Sequence, residues 1–74
     1  MQTMEIVREI MKIRGVKPFV LADRLNIKHS TFSERFNQKN ISTKILSEML
    51  RALDYKIILV PRETRVPEGG FEVE

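Results

Sequence analysis

Cysteine is absent from this 74-residue chain, and with it any disulfide framework or thiolate metal site that could staple a small fold. Stability has to come from packing, in a chain so short that folding hides only about 60% of the surface its unfolded form exposes. A single domain with a thin core follows, with part of the burial shared with a partner subunit. Histidine occurs once, at position 29, so no His/Cys ligand set is present, and no glycine-rich loop is available to cradle a phosphate. The longest apolar run, residues 57–60, is far too short to cross a bilayer. The opening MQTMEIVREI lacks the basic leader, long apolar stretch and small-residue cleavage site of an export signal. A cytoplasmic protein is expected. Internal repeats and low-complexity tracts are also missing.

What is present is ordinary for a globular protein: 42% apolar and 31% charged residues. The charge is unevenly placed. Between residues 12 and 44, eight Lys and Arg (Lys12, Arg14, Lys17, Arg24, Lys28, Arg35, Lys39, Lys44) face two acids, Asp23 and Glu34, a local charge of +6. From residue 61 onward two Arg oppose four Glu, a local charge of −2. A basic middle suits a polyanion, although a merely solvated basic surface would give the same count.

Hydrophobic spacing predicts four helices. Ile6, Ile10 and Ile13, with Val7 and Met11, recur at three- and four-residue intervals, giving a helix over 4–14 with Thr3 as N-cap and Gly15 as its stop. Pro18 suits the first position of a second helix, over 18–25, in which Val20 or Leu21 and then Leu25 face inward beside Ala22. Asn26 tolerates left-handed backbone and can turn the chain sharply, with Ile27 plugging the turn. A third helix carries Phe32 and Phe36 on one face. It begins either at Thr31, which with Glu34 matches a capping box, or a turn earlier with Lys28 flanking it. Ser42 is the expected N-cap of a fourth helix carrying Leu46, Met49, Leu50 and Leu53 as core. The following YKIILVPRE reads as a strand, buried on both faces or covered on one. The final TRVPEGGFEVE either returns as a second strand or stays disordered.

The segment LADRLNIKHSTFSERFNQKNIS resembles the phage-repressor and Cro-like helix-turn-helix family, the XRE family, over residues 15–53. Leu21, Ala22, Leu25, Ile27, Ser30, Thr31, Phe32, Ser33 and Asn37 stand at the family's pattern positions. Three places depart: Pro18 replaces the usual Gln that contacts phosphate, and Asn26 and Gln38 stand where glycine is usual. The resemblance implies a mainly α fold with a four-helix repressor-like domain over 1–55, and the composition of the remainder adds a C-terminal β-strand or hairpin over 56–74, expected to serve as a dimerisation element. The resemblance also implies that Lys28, His29, Ser30, Ser33 and Glu34 approach base edges in a major groove. Their chemistry fits, since Lys donates to guanine, Ser donates or accepts, and Glu accepts from cytosine. Lys17, Asn37, Lys39, Asn40, Ser42 and Lys44 are the expected phosphate contacts. Arg35 fits a phosphate contact or a packed stem equally well, while Asp23 and Arg24 read as a solvated face.

An enzyme is not expected, nor is a cofactor. His29 and Ser30 are adjacent, and neighbours on a helix point about 100° apart, with no third group to orient the imidazole. One such unit would cover too little DNA for high specificity, which favours a homodimer formed through Ile57, Ile58, Leu59 and Val60 across a two-fold axis. A hairpin with FEVE inside one subunit is the competing arrangement, and both can hold together. The expected function is a transcriptional regulator, with repression favoured, on a pseudo-palindromic operator. The alternative is an antitoxin or other interaction module whose tail binds a toxin-like protein partner.

Overall fold

In the computed structural model, which describes residues 1–38 and 41–73, the chain is mainly helical. Four helices occur among the described residues: α1 (Thr3–Arg14), α2 (Pro18–Arg24), α3 (His29–Phe36) and α4 (Thr43–Ala52). α2 packs on α3, and α4 packs on both α1 and α2.

Three of the four helices stop by one device. Gly15, Asn26 and Asp54 have φ of 66°, 56° and 62°, left-handed backbone that no helix can continue. At each, the next residue's N–H reaches back five residues: Val16 to the Met11 carbonyl at 2.9 Å, Ile27 to Ala22 at 3.2 Å, and Tyr55 to Leu50 at 2.8 Å. The left-handed residue itself donates to Lys12, Asp23 and Arg51 respectively, at 3.2, 3.1 and 3.1 Å. Both bonds together make the Schellman arrangement, which satisfies last-turn carbonyls and turns an apolar residue back onto the helix. Val16 is accordingly buried, and Ile27 and Tyr55 are half-buried against the core. Asn26 thus does what its side chain and position predict. Asp54 does the same with no glycine or asparagine to announce it.

The core is wholly apolar. Val7, Ile10, Leu21, Met49 and Leu53 are fully buried, Met4, Ile6, Met11, Ala22, Phe32 and Leu50 surround them, and no polar or charged residue among those described is buried. Leu21, not Val20, is the inward residue of α2. Ile13 does not join the core: at about 100° per residue it falls at the margin of the arc formed by Met4, Ile6, Val7, Ile10 and Met11, and it stays 59% exposed. Thr3 is the first helical residue and not the cap, since the Ile6 N–H is bonded to the Gln2 carbonyl at 3.1 Å.

The expected strand over 56–60 is not formed, and no strand occurs among the described residues. Its backbone makes no hydrogen bond to other described backbone, and Ile57, Ile58, Leu59 and Val60 are all exposed, Leu59 at 95%. A lone extended segment needs a neighbouring edge, and the tail does not supply one. A turn at 67–70, closed by the Gly70 N–H on the Pro67 carbonyl at 2.8 Å and permitted by Gly69 at φ 81°, sends the chain elsewhere. Phe71 settles half-buried against the core, beside a groove lined by Ile6, Ile10, Leu46 and Leu50, and the Met1 ammonium donates to the Glu72 carbonyl at 3.3 Å. The tail therefore returns to the body, though not as a strand. This extended arm agrees with a radius of gyration of 12.5 Å, against about 11 Å for an average compact chain of this length.

The left-handed stops generate a stability prediction. Gly15→Ala and Asn26→Val should each lower the unfolding free energy by about 1–2 kcal/mol, since a Cβ in this conformation is strained. A Cβ at Gly15 meets nothing within 4 Å, so there the penalty is backbone strain alone. Asn26→Gly should stay within about 0.5 kcal/mol of the parent. Urea denaturation of the three variants checks the pattern, and equal losses for Asn26→Gly and Asn26→Val would contradict it.

Candidate nucleic-acid interface

α3 starts at the earlier of the two expected positions. Lys28 is its N-cap, extended at φ −66° and ψ 146°, and its carbonyl accepts the Phe32 N–H at 2.9 Å. That bond opens the helix before Thr31, so the Thr31–Glu34 capping box does not form. Thr31 lies half-buried within the first turn.

At about 100° per residue, α3 divides into two arcs. Phe32 is buried and Phe36 half-buried, their rings 5.2 Å apart, with Thr31 and Arg35 partly covered on the same side. His29, Ser30, Ser33 and Glu34 occupy the opposite arc, about 140° wide, and all four are exposed, as is Lys28 at its head. The five expected base-reading residues are thereby brought onto one accessible surface. The two phenylalanines anchor that surface from behind, and the Asn26 turn fixes its direction relative to α2.

The expected phosphate contacts are more scattered in role. Lys17 is the exposed N-cap of α2, and Lys44 is exposed in the first turn of α4. Neither makes a side-chain hydrogen bond or ion pair among the described residues. Ser42 caps α4 as expected, its Oγ accepting the Ile45 N–H at 3.2 Å. Its hydroxyl proton is still available to a phosphate oxygen. Asn37 uses one amide N–H to close its own helix, donating to the Ser33 carbonyl at 3.0 Å. Lys39 and Asn40 lie outside the described residues.

Two residues read as a solvated face have specific partners. Arg24 donates from Nη1 to the Ala52 carbonyl at 3.1 Å, meeting the negative end of α4. Asp23 Oδ1 lies 3.1 Å from His29 Nε2, across the turn between α2 and α3. The six-residue separation is not a helical spacing, so only the left-handed turn at Asn26 brings the pair together. Phe19 was also missed. Its ring is 53% exposed, tilted at 53° to the His29 imidazole with centroids 6.5 Å apart. Pro18, Phe19, Ala22, His29, Phe32, Ser33 and Phe36 together line a shallow hollow between the two helices. Arg8, on α1, holds the far end of α3: its Nη2 donates to the Phe36 carbonyl at 3.3 Å while its guanidinium lies 4.6 Å from the Phe36 ring centroid.

Comparison with protein-family models, curated proteins and solved structures returns no match to this chain. Functional reading rests on the site itself.

Because Ser42 serves a cap and offers a donor, its two roles can be separated. Ser42→Ala should cost about 1 kcal/mol of stability in thermal denaturation, and Ser42→Asp, which keeps the cap acceptor, should recover most of it. Retained stability in the alanine variant would show that the cap contributes nothing.

Proposed function

We propose that this chain is a sequence-specific double-stranded DNA-binding protein, acting as a homodimeric transcriptional regulator with repression as its favoured mode. In this reading α2 and α3 are a Cro-like, XRE-family helix-turn-helix, and α3 enters the major groove. The observation that carries it is the exposed arc of α3. One helix, anchored from behind by two phenylalanines, offers Lys28, His29, Ser30, Ser33 and Glu34, a set able to donate to guanine and accept from cytosine or adenine. Lys17 at the head of α2 and Lys44 in the first turn of α4 are exposed cations suited to phosphates. The protein works as a binding module without catalysis or cofactor. No helix among the described residues is long and apolar enough to cross a membrane, which agrees with action on DNA in the cytoplasm.

Dimerisation belongs to the arm. Four consecutive apolar residues, Ile57 to Val60, are 40–95% exposed, and their backbone groups are free to pair. A second copy offers the same segment, and antiparallel pairing about a two-fold axis would satisfy both edges at once. The same exposed run also favours a second reading, an antitoxin whose arm binds a toxin-like protein. Against that reading stands the tail, which is already seated on its own body through Phe71.

An electrophoretic shift series tests the leading reading. A selected duplex should be preferred over random sequence, and Lys28→Ala with Ser33→Ala should abolish the preference. Lys17→Ala should lower the slope of log affinity against log salt by about 2 units per dimer, one counterion per lost contact. Binding that ignores sequence in the parent would exclude the reading. In sedimentation equilibrium the parent should be a dimer and Leu59→Asp a monomer; a parent that stays monomeric at micromolar concentration would exclude the arm as the dimer contact.

A further inference from the structure

Asp23, an acid beside the exposed arc of α3, is placed against the one histidine. If the arc faces DNA, Asp23 brings a negative charge toward phosphates, which on its own opposes binding. Its contact with His29 supplies a reason for an acid at that position.

We propose that Asp23 is a positioning residue for His29, holding the imidazole so that α3 presents an acceptor to an exocyclic amine of a base, adenine N6 or cytosine N4. The inference rests on the DNA-binding reading above and names the chemistry that one of its residues recognises. A carboxylate has no proton to donate, so the 3.1 Å contact between Asp23 Oδ1 and His29 Nε2 requires the hydrogen to sit on Nε2. In the neutral ring Nδ1 then carries the lone pair. One hydrogen-bond partner therefore sets the chemical identity of the other nitrogen.

Orientation follows from the same neighbours. The imidazole is tethered at one edge by Asp23 and flanked by the Phe19 ring, and its side chain is still 63% exposed. It stands first on the arc, on the same face as Ser33 one turn later. In the major groove the only base hydrogen-bond donors are the amines of adenine and cytosine, whereas guanine offers acceptors alone. Each base pair holds one such amine, so an Nδ1 acceptor fixes which strand carries the adenine or cytosine at the contacted position.

Charge and positioning predict opposite signs for one substitution, which makes the role separable. Removing Asp23 should strengthen binding to DNA in general, because a like charge is lost, and at the same time blur the preference at one base pair. Binding-site selection and competition should be run on the full chain, with all variants at one pH. Parent, Asp23→Ala, Asp23→Glu, His29→Ala and the double variant are compared, with circular dichroism confirming that each is folded. The parent should favour one base pair by about 5–10-fold at one position per half-site, and whether that pair is A·T or C·G distinguishes the two amines. Asp23→Ala should cut that to about twofold or less without weakening average affinity, His29→Ala should flatten the same position, and the double variant should add nothing. Asp23→Glu should restore part of the preference.

A second arm needs no DNA. Nitrogen-15 shifts of the sole imidazole should report the Nε2–H form in the parent and a larger share of Nδ1–H in Asp23→Ala. An undiminished preference in Asp23→Ala, or identical tautomer populations in the two proteins, would overturn the proposal while DNA recognition stands. A parent with no sequence preference, but with the expected tautomer change, would instead overturn the DNA-reading function and the base contact with it.

Discussion

Three of the four helices in this molecule stop where left-handed backbone is permitted. With no cross-link to hold the chain, Gly15 and Asn26 redirect it between packed helices and Asp54 turns it after the last, and each is followed by a residue that folds back onto the apolar body. The stop and the packing are one event: the five-residue reverse hydrogen bond that ends the helix also carries Val16, Ile27 or Tyr55 inward. At Asn26 the consequence reaches the surface. Displacing this turn would pull Phe32 and Phe36 away from the core and lose the orientation of the arc they support.

Three arginines tie elements together: Arg8 to the end of α3, Arg24 to the end of α4, and Arg14 over the Tyr55 ring at 5.1 Å. A planar guanidinium can hold a carbonyl or a ring face from an exposed position, which suits it to these contacts. Lys17, Lys28 and Lys44 stay exposed. A hydrated ammonium on a flexible stem makes no use of neighbouring carbonyls here; in the proposed reading phosphates would engage Lys17 and Lys44, and a base edge Lys28. Net charge alone would have treated these residues alike.

Local signals were readable where they act over one turn. Pro18 at a helix start, Asn26 at a stop, Ser42 at a cap and the Phe32–Phe36 spacing each state a short-range preference that the fold leaves in place. The exposed arc followed from the same spacing. What escaped was set by tertiary placement. The Asp23–His29 pair spans a turn, Arg24 reaches a carbonyl 28 residues away, and Ile13 falls at the margin of the buried arc of α1. The 56–60 segment has the composition of a strand, but pairing needs a partner edge, and within one chain the 67–70 turn sends the tail to the groove between α1 and α4 instead. Composition reports a preference for extended backbone, and the ladder depends on a second strand.

The account joins a rigid helix pair that presents one polar arc to an arm that leaves its apolar residues in the open. Its central claim is that the arc of α3 is the surface that meets a duplex. Chemical-shift mapping of the full chain with a selected operator tests this most directly. The account predicts that the largest backbone amide shifts fall at Lys28, His29, Ser30, Ser33 and Glu34, with smaller ones at Lys17 and Lys44 and little change on the exposed face of α1. Shifts centred on α1, or spread along residues 56–66 with α3 unmoved, would contradict it.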